Sequence, residues 1–407
     1  MDKNLWFLAI ALVVVFLSIA GIRLFQSNAD LPSPTPHSIV TTFKDNPQTS
    51  RAFTWYTTSP SAETILQLVA APGITDFNRN DVISISGTTS TIDTGKGVMQ
   101  GVHKVHATNL APGTRYSYRV GSRADNGWSP PAEFETEAAR TSEFTFINVT
   151  DSQGKKDLDF ELWGNTLTKA FETFPDSAFV VHNGDLTEDP ENESGWFSFF
   201  DRAQTLLRRY PLMPATGNHD EIDGNAERFL SHFNLPENGA KSSNLGTSYS
   251  FDYGPAHFVY LNTESKVKKQ TEWLKADLAA TKQTWIIVAL HHGPYGGNQN
   301  DAVLDKWVPL FDEFGVDLVL QGHNHEYSRS YPLKGNQIVK DGDGTVYVVT
   351  NVAGSKWNKK KDDQFYHAVH FQNGKPMFAG IRISGDRLLY AAYDIDGEKL
   401  DTFTLKK

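Results

Sequence analysis

Five apolar runs in this chain each end in side chains of the types that bind metal ions. The run AFVVHNGD indicates a buried strand that stops at Gly184-Asp185. The other four runs end in the same way, at Asp151, at Asn218-His219-Asp220, at His291-His292 and at His323-Asn324-His325. Open α/β sheets bind their ligands beyond the carboxyl ends of their strands. The series therefore predicts one rim that carries one site, with Asp185 as the first candidate for chemistry.

Helical patterns separate these runs. Apolar residues recur at three- and four-residue spacing in residues 158–174, 195–209, 226–233, 270–280 and 302–314. Alternating strands and helices predict a mostly parallel sheet that is covered on both faces. The strand patterns after residue 344 are joined by Gly-Asp and Asp-Gly turns, and we expect them to complete the same sheet system.

Composition narrows the class of protein. At 407 residues the chain has room for about two or three domains. Its formal net charge of -10 gives no long-range attraction to nucleic acid, so we expect no nucleic-acid partner. The absence of cysteine excludes disulfides, thiolate catalysis and cysteine-based zinc fingers.

The amino-terminal segment is predicted to enter a membrane. Residues 5–22 are apolar for 18 residues, which is within the length that a helix needs to cross a bilayer. We assign residues 1–25 to a signal anchor or a cleaved signal peptide, and the proline-bearing residues 26–37 to a linker. Both alternatives predict an extracytoplasmic protein, either anchored to the membrane through this segment or secreted.

Residues 38–138 show short strand patterns with turn signals, which predict an antiparallel β-sandwich. Trp55, followed by LAPGT and by the alternating Tyr116 and Tyr118, resembles a fibronectin type III-like module. This region has no cluster of metal-ligand residue types, and we expect its His103 and His106 to occupy surface strand positions. The remaining residues, 141–407, are assigned to the domain that carries the site.

The residue types at the rim suit a binuclear metal centre. Two cations about 3.5 to 4 Å apart can clamp a phosphate and activate water, provided that a carboxylate lies between them. The rim supplies six candidate ligands: Asp151, Asp185, Asn218, His291, His323 and His325. Imidazole mixed with carboxylate favours Fe, Zn or Mn over Mg or Ca, which prefer oxygen ligands.

These motifs resemble a known superfamily. Asp151, Gly184-Asp185, Gly217 to Asp220, Val288 to His291 and Gly322-His323-x-His325 resemble the five ordered motifs of the calcineurin-like metallophosphoesterases. With the module in front, the chain resembles the purple acid phosphatases in particular. The resemblance implies a four-layer α/β/β/α sandwich, preceded by an all-β fibronectin type III-like sandwich and an N-terminal hydrophobic helix.

The resemblance also implies roles for the residues. The first metal would be held by Asp151, Asp185 and His325, and the second by Asp185, Asn218, His291 and His323. Asp185 would bridge the two metals. His219 would act as general acid or transition-state stabiliser at the leaving-group oxygen. Glu188 and Asp220 are counted with it as candidate catalytic residues.

Glu188 departs from the family pattern, because purple acid phosphatases have a tyrosine three residues after the bridging aspartate. The expected cofactors are therefore two metal ions, Fe with Zn or Mn, with the Fe(III) assignment left open. We expect the Glu188 carboxylate to accept a hydrogen bond from His219. This bond would raise the pKa of His219 and fix its tautomer. The alternatives are that Glu188 ligates the first metal or is an exposed acid.

Four further features allow two interpretations each. Gln153 could be a weak ligand or hold a water, and His292 could contact phosphate or only support a ligand. His182 is expected in the core rather than at the rim. The lysine run 359–361 is either a solvated loop or overhangs the site.

The sequence thus predicts an exported binuclear-metal phosphohydrolase, an acid phosphatase that hydrolyses small-molecule phosphate monoesters. One alternative is a phosphodiesterase or nucleotidase that uses the same metals. The other is a non-catalytic surface binding protein, which would have no need of a complete ligand set.

Overall fold

A computed structural model describes residues 35–58, 63–95, 97–123, 127–222 and 224–407. The predicted signal or anchor segment, residues 1–25, lies outside the described residues, as does most of the linker. Within the described ranges, none of the helices combines the length and the apolar character that a bilayer crossing requires.

The first part of the chain is a β-sandwich, as the turn-separated strand patterns predict. Its two antiparallel four-stranded sheets have the orders β1-β2-β6-β5 and β4-β3-β7-β8. The strands are β1 (His37–Thr42), β2 (Arg51–Thr57), β3 (Ile65–Val69), β4 (Ile83–Ser86), β5 (Thr88–Asp93), β6 (Met99–Ala107), β7 (Arg115–Gly121) and β8 (Ala132–Glu135). Phe53 of one sheet packs on Tyr118 and Phe134 of the other, so the sheets enclose an apolar core.

The prediction that His103 is a surface residue is wrong. His103 is fully buried and stacks on Trp55, with ring centroids 5.4 Å apart. Its two ring nitrogens lie 2.7 Å from the hydroxyls of Thr57 and Thr64. These hydroxyls supply the hydrogen bonds that a buried imidazole needs, and nothing in the strand alternation indicates them. His106 is half-buried.

The second part of the chain alternates strands and helices and then ends in strands. The elements are β9 (Glu143–Val149), α1 (Asp157–Thr173), β10 (Ser177–His182), α2 (Glu193–Arg202), α3 (Gln204–Leu207), β11 (Leu212–Pro214), α4 (Glu227–His232), β12 (Tyr249–Tyr253), β13 (Ala256–Tyr260), α5 (Val267–Ala280), β14 (Trp285–Ala289), α6 (Asp301–Lys306), α7 (Val308–Phe314), β15 (Leu318–Gln321), β16 (Tyr327–Ser330), β17 (Leu333–Lys334), β18 (Gln337–Ile338), β19 (Val346–Thr350), β20 (His367–Phe371), β21 (Met377–Ser384), β22 (Arg387–Asp394) and β23 (Lys399–Lys406).

All of these strands except β17 and β18, which pair with each other, form two large mixed sheets, where the periodicity alone predicted one mostly parallel sheet. The six-stranded sheet has the order β11-β10-β9-β21-β22-β23, and the seven-stranded sheet has the order β12-β13-β14-β15-β19-β16-β20. Strands β9 to β11 run parallel, as do β13, β14, β15 and β19. The last five strands complete both sheets, as expected.

The two sheets pack face to face through aromatic rings. Phe146 and Phe179 of the six-stranded sheet contact Phe258 of the seven-stranded sheet, with ring centroids 5.1 and 5.2 Å apart. On the opposite face of the six-stranded sheet, Trp163 of α1 packs edge-on against His182. Helices α5 to α7 pack on the outer face of the seven-stranded sheet through a separate apolar cluster. The result is the four-layer α/β/β/α arrangement.

Two predicted helices are each broken in two. Residues 195–209 give α2 and α3, which are separated at Ala203, and residues 302–314 give α6 and α7, which are separated at Trp307. Pro309 stands in the first turn of α7, where its missing N–H costs nothing. The apolar period continues across the second break, so the pattern does not reveal it.

The sandwich and the second part share one apolar core. Val40, Phe43 and Tyr56 of the sandwich are buried among residues of the six-stranded sheet and its helices. Polar contacts reinforce this junction, since Gln204 of α3 pairs with the backbone of Ile39 at 2.7 and 2.9 Å.

His257 of β13 lies between two carboxylates. Its Nδ1 is 2.6 Å from Asp252 Oδ1 and its Nε2 is 2.8 Å from Asp277 Oδ2. Burial alone would lower the pKa of His257, but the hydrogen bonds to Asp252 and Asp277 outweigh burial and raise this pKa from 6.5 to about 9. The protonated imidazole therefore stabilises the folded chain.

We expect the free energy of unfolding to fall as the pH rises through about 9. A group whose folded pKa is raised contributes its full stability below its unfolded pKa and loses that contribution above its folded pKa. The loss should be about 2 to 3 kcal/mol between pH 6.5 and 9.5, measured by urea unfolding at fixed metal concentration. His257→Gln should remove this part of the pH dependence, and an identical slope in the variant would contradict the assignment.

Candidate metal centre

The site lies at the rim where the carboxyl ends of strands from both sheets meet. Strands β9, β10 and β11 of the six-stranded sheet lead into Asp151, Asp185 and Asn218, respectively. Strands β14 and β15 of the seven-stranded sheet lead into His291 and the loop of His323 and His325. The structure brings together all six predicted ligands.

The backbone at this rim adopts conformations that L-residues rarely take. Asp151, Asp185, His323 and His325 have φ angles of 51°, 55°, 71° and 54°. A non-glycine residue in the left-handed region costs about 1 to 2 kcal/mol, and such strain clusters at functional sites. The surrounding loops must therefore hold these side chains in place.

Two glycines allow these loops to approach one another closely. A Cβ atom at Gly217 would lie 2.2 Å from Asp185 Oδ1, and one at Gly322 would lie 2.3 Å from Thr150 Oγ1 and 2.9 Å from Asp151 Oδ2. A larger residue at either position would displace a candidate ligand.

Asp151 and His325 form the first contact pair. Asp151 Oδ1 lies 3.0 Å from His325 Nε2. The Asp151 carboxylate also accepts hydrogen bonds from Thr150 Oγ1 at 2.5 Å and from the backbone N–H of His323 at 3.0 Å. This carboxylate is fully buried and held on three sides.

Asp185, Asn218, His291 and His323 form the second cluster. His291 Nε2 lies 3.2 Å from Asp185 Oδ2 and 3.3 Å from Asn218 Oδ1. Asn218 Oδ1 also lies 3.0 Å from His323 Nδ1. His291 Nδ1 donates to the backbone carbonyl of Asn183 at 2.8 Å, which leaves Nε2 facing the carboxylate. This is the arrangement by which a ligating histidine is oriented.

The buried acids and histidines of the site shift one another's pKa. Burial alone would lower the pKa of His291, but Asp185 and Asp151 outweigh burial and raise this pKa to about 10. Burial alone would raise the pKa of Asp185, but His291 and His219 hold it below its ordinary value. In the metal-free chain the His291 imidazolium therefore compensates the carboxylates, and a bound cation would replace its proton.

The donor set fits a pair of metal ions. Atoms that share one cation at bond lengths of about 2.1 Å lie about 3.0 to 3.4 Å apart. The contacts of Asp185 and Asn218 with His291, and of Asn218 with His323, are 3.0 to 3.3 Å. Asp151, Asp185 and His291 each direct one donor atom within 4.8 Å of the others, which joins the two clusters.

Comparison with known families agrees with this geometry. Residues 36–136 match the family described as "Purple acid Phosphatase, N-terminal domain", and residues 150–327 match "Calcineurin-like phosphoesterase". The chain is a purple acid phosphatase-like member of the calcineurin-like metallophosphoesterases.

Relatives of this metallophosphoesterase occur in distant organisms. It is 24% identical to acid phosphatase type 7 of Mus musculus, over 86% of this chain and 88% of that protein. It is 27% identical over 347 residues to an uncharacterized protein of Mycobacterium tuberculosis, and the match spans 72% of this chain and 62% of that protein's length. A purple acid phosphatase from yellow lupin seeds has the same fold, with a TM-score of 0.78 at 19% identity, over 92% of this chain and 74% of that chain.

Asp220, which we counted with the catalytic candidates, is placed as a positioning residue instead. Its fully buried carboxylate accepts backbone hydrogen bonds from Asp185 and Gly217 at 2.8 Å and from Leu186 at 3.1 Å. Burial and the Asp185 charge raise its pKa well above the ordinary value. Asp220 thus joins the loops of the metallophosphoesterase that carry Asp185 and Asn218, and its oxygens face backbone rather than the pocket.

His219 does bond to Glu188, but the prediction that the Glu188 carboxylate is the acceptor is wrong. His219 Nδ1 donates to the backbone carbonyl of Glu188 at 2.7 Å. The Glu188 carboxylate instead accepts from Gln153 Nε2 at 3.1 Å and from Lys356 Nζ at 3.0 Å. The tautomer of His219 is therefore fixed by backbone, and a catalytic role for Glu188 stays a prediction.

Lys356 is a residue of the site that sequence reasoning missed. It belongs to residues 351–366, which we call the β19–β20 segment. Its Nζ lies 3.3 Å from His219 Nε2 as well as 3.0 Å from Glu188. The lysine run 359–361, considered as a possible overhang, lies in the same segment. Because β19 runs parallel to β15, its carboxyl end also reaches the rim, and this brings the segment that follows β19 to the site.

The remaining histidines have distinct surroundings. His292 Nδ1 lies 2.7 Å from Glu264 Oε1, and its ring centroid is 3.6 Å from that of His323. It therefore lies beside the second cluster and is partly exposed. His182 is buried in the core, with Nε2 2.9 Å from Ser152 Oγ, as expected.

Proposed function

We propose that the chain is a binuclear-metal phosphohydrolase that acts on phosphate monoesters of small molecules. The observation that carries this proposal is the convergence of six oxygen and nitrogen donors from two sheets on one rim, at distances typical of shared coordination. The relatives named acid phosphatase support the same reaction class.

The residues of the site would have the following roles. Asp151 and His325 would hold one metal, and Asn218, His291 and His323 the other, with Asp185 between them. When bound, the two metals supply Lewis acidity for the phosphate oxygens and lower the pKa of water. His219 presents Nε2 toward the pocket because its Nδ1 is bound to the Glu188 carbonyl. That nitrogen can donate a proton to the leaving-group oxygen.

The proposed metals are Fe with Zn or Mn. The mixed imidazole and carboxylate set supports these metals over Mg or Ca. Glu188 stands where purple acid phosphatases have their tyrosine, so the loaded protein should lack a tyrosinate-to-iron absorption band.

Export is part of the proposal. Residues 5–22 have the composition of a signal or anchor segment, which supports an extracytoplasmic location, with membrane attachment if the segment is not cleaved. The acidic chain has no predicted nucleic-acid partner.

Paired esters test the reaction class. The metal-loaded protein should hydrolyse p-nitrophenyl phosphate with a kcat/KM at least about tenfold above that for bis-p-nitrophenyl phosphate, because positive charge at the site attracts a dianion more strongly than a monoanion. A chelator should abolish the activity, and metal should restore it. Preference for the diester would favour the phosphodiesterase alternative, whereas inactivity toward both esters would favour a binding protein.

A further inference from the structure

The β19–β20 segment is fixed to the metal centre on both sides of Lys356. On one side, Gly354 N donates to the carbonyl of Asp151 at 3.3 Å. On the other, Asn358 N donates to the carbonyl of His325 at 3.1 Å. Since both acceptors are backbone atoms of candidate metal ligands, the segment that carries Lys356 is tied to the loops that carry those ligands.

The Lys356 ammonium group is held beside the reacting position. It donates to Glu188 Oε2 at 3.0 Å and lies 3.3 Å from His219 Nε2. The Glu188 carboxylate is itself fixed by Gln153 and is only 17% exposed. An ammonium group has three N–H donors, and Glu188 occupies one of them, so donors remain for a ligand that reaches His219.

The charge of the group formed by Glu188 and the two lysines beside it is positive on balance. Glu188 faces two lysines, because Lys155 Nζ also lies 3.5 Å from Glu188 Oε1. One carboxylate therefore offsets one of two ammonium groups, which leaves a net positive charge at the edge of the rim. An anionic ligand with more than one charge gains most from such an arrangement.

We propose that Lys356 is the substrate-binding residue that selects the phosphate dianion of a monoester, and that Glu188 positions it. This inference rests on the proposed function and names the part of the chain that sets its preference. At neutral pH a monoester carries about one negative charge more than a diester, and a charge-assisted hydrogen bond to a phosphate oxygen is roughly twice as strong as a neutral one. Glu188 thus acts through Lys356 rather than on the metal.

A purely structural ion pair predicts a different result. Lys356 is 43% exposed, and ion pairs at that exposure contribute little to stability. If the contact with Glu188 only held the segment in place, removing the charge would change both ester activities alike or neither of them.

The test compares Lys356→Met with the wild type, both loaded with metal. We expect kcat/KM for p-nitrophenyl phosphate to fall about 10- to 100-fold, mainly through a higher KM, because the lost contact binds the ground state. The value for the bis ester should change less than about threefold. The inhibition constant of inorganic phosphate should rise about tenfold, because the variant loses one charge-assisted hydrogen bond to the phosphate.

Two variants serve as controls. Lys356→Arg keeps the charge and should restore most of the monoester preference. Lys359→Met removes an exposed lysine of the same segment and should match the wild type. An equal fall for both esters, no fall, or failure of Lys356→Arg to restore the preference would overturn the proposal.

The role of Lys356 and the proposed function can fail independently of each other. If the wild type hydrolysed neither ester, the proposed function would fail. Calorimetric titration of inorganic phosphate into the metal-loaded wild type and Lys356→Met would then decide the inference alone. Binding about tenfold weaker in the variant would support it, and equal binding would overturn it.

Discussion

Asp185→Asn should lower kcat/KM for a phosphate monoester by about three orders of magnitude or more and reduce the metal content below two equivalents per chain. Asp185 lies between the two clusters, since its Oδ2 is 3.2 Å from His291 and the donor atoms of Asp151, Asp185 and His291 all lie within 4.8 Å of one another. An asparagine retains the size of the side chain but removes the charge between the two cations. Lewis-acid stabilisation is worth several kcal/mol, and each 1.36 kcal/mol is about tenfold in rate.

Metal analysis of the purified variant, together with steady-state kinetics, tests this result. Asp189→Asn is a matched control, because Asp189 is exposed and its Oδ1 accepts only a local turn hydrogen bond from Glu191 N. The control should keep its metals and its activity. A variant of Asp185 with two tightly bound metals would show that this carboxylate is not the bridge.

His219→Ala should lower kcat by about 10² to 10⁴ while both metals stay bound. That range is typical for the loss of a positioned general acid. Among the hydrogen bonds of the described residues, none joins the side chain of His219 to any of the six ligands. Its Nδ1 donates to the Glu188 carbonyl instead. The alanine variant keeps the backbone N–H that donates to Asp185.

The test measures kcat and metal content separately on the same purified variant. His106→Ala in β6 of the sandwich is the control for a histidine outside the site, and it should leave both quantities unchanged. Loss of a metal equivalent in His219→Ala would instead make His219 a ligand. A leaving group of low pKa should reduce the effect, because it needs less protonation on departure.

The convergence of the site could be predicted because a simple rule governs it. Carboxyl ends of parallel strands share one edge of a sheet, so Asp151, Asp185 and Asn218 had to meet if their runs were parallel strands of one sheet. The number of sheets could not be obtained in the same way. Phe146 and Phe179 are apolar whether a helix or a second sheet covers them, and the resemblance to a family supplied the layer order.

The contacts of individual side chains at the rim were harder to predict. The path of the turn after Asp185 decides whether His219 meets the carboxylate or the carbonyl of Glu188, and that turn depends on a left-handed backbone at Asp185. Nothing in the residue types distinguishes the two outcomes. Lys356 was missed because its segment has no periodicity, although it follows a strand that ends at the same rim.

The apolar core shared by the sandwich and the metallophosphoesterase unit has a mechanical consequence. Because Val40 and Phe43 are buried among residues of the catalytic sheet and its helices, the two parts cannot rotate against each other without opening that core to water. The sandwich therefore moves with the metal centre as one rigid piece.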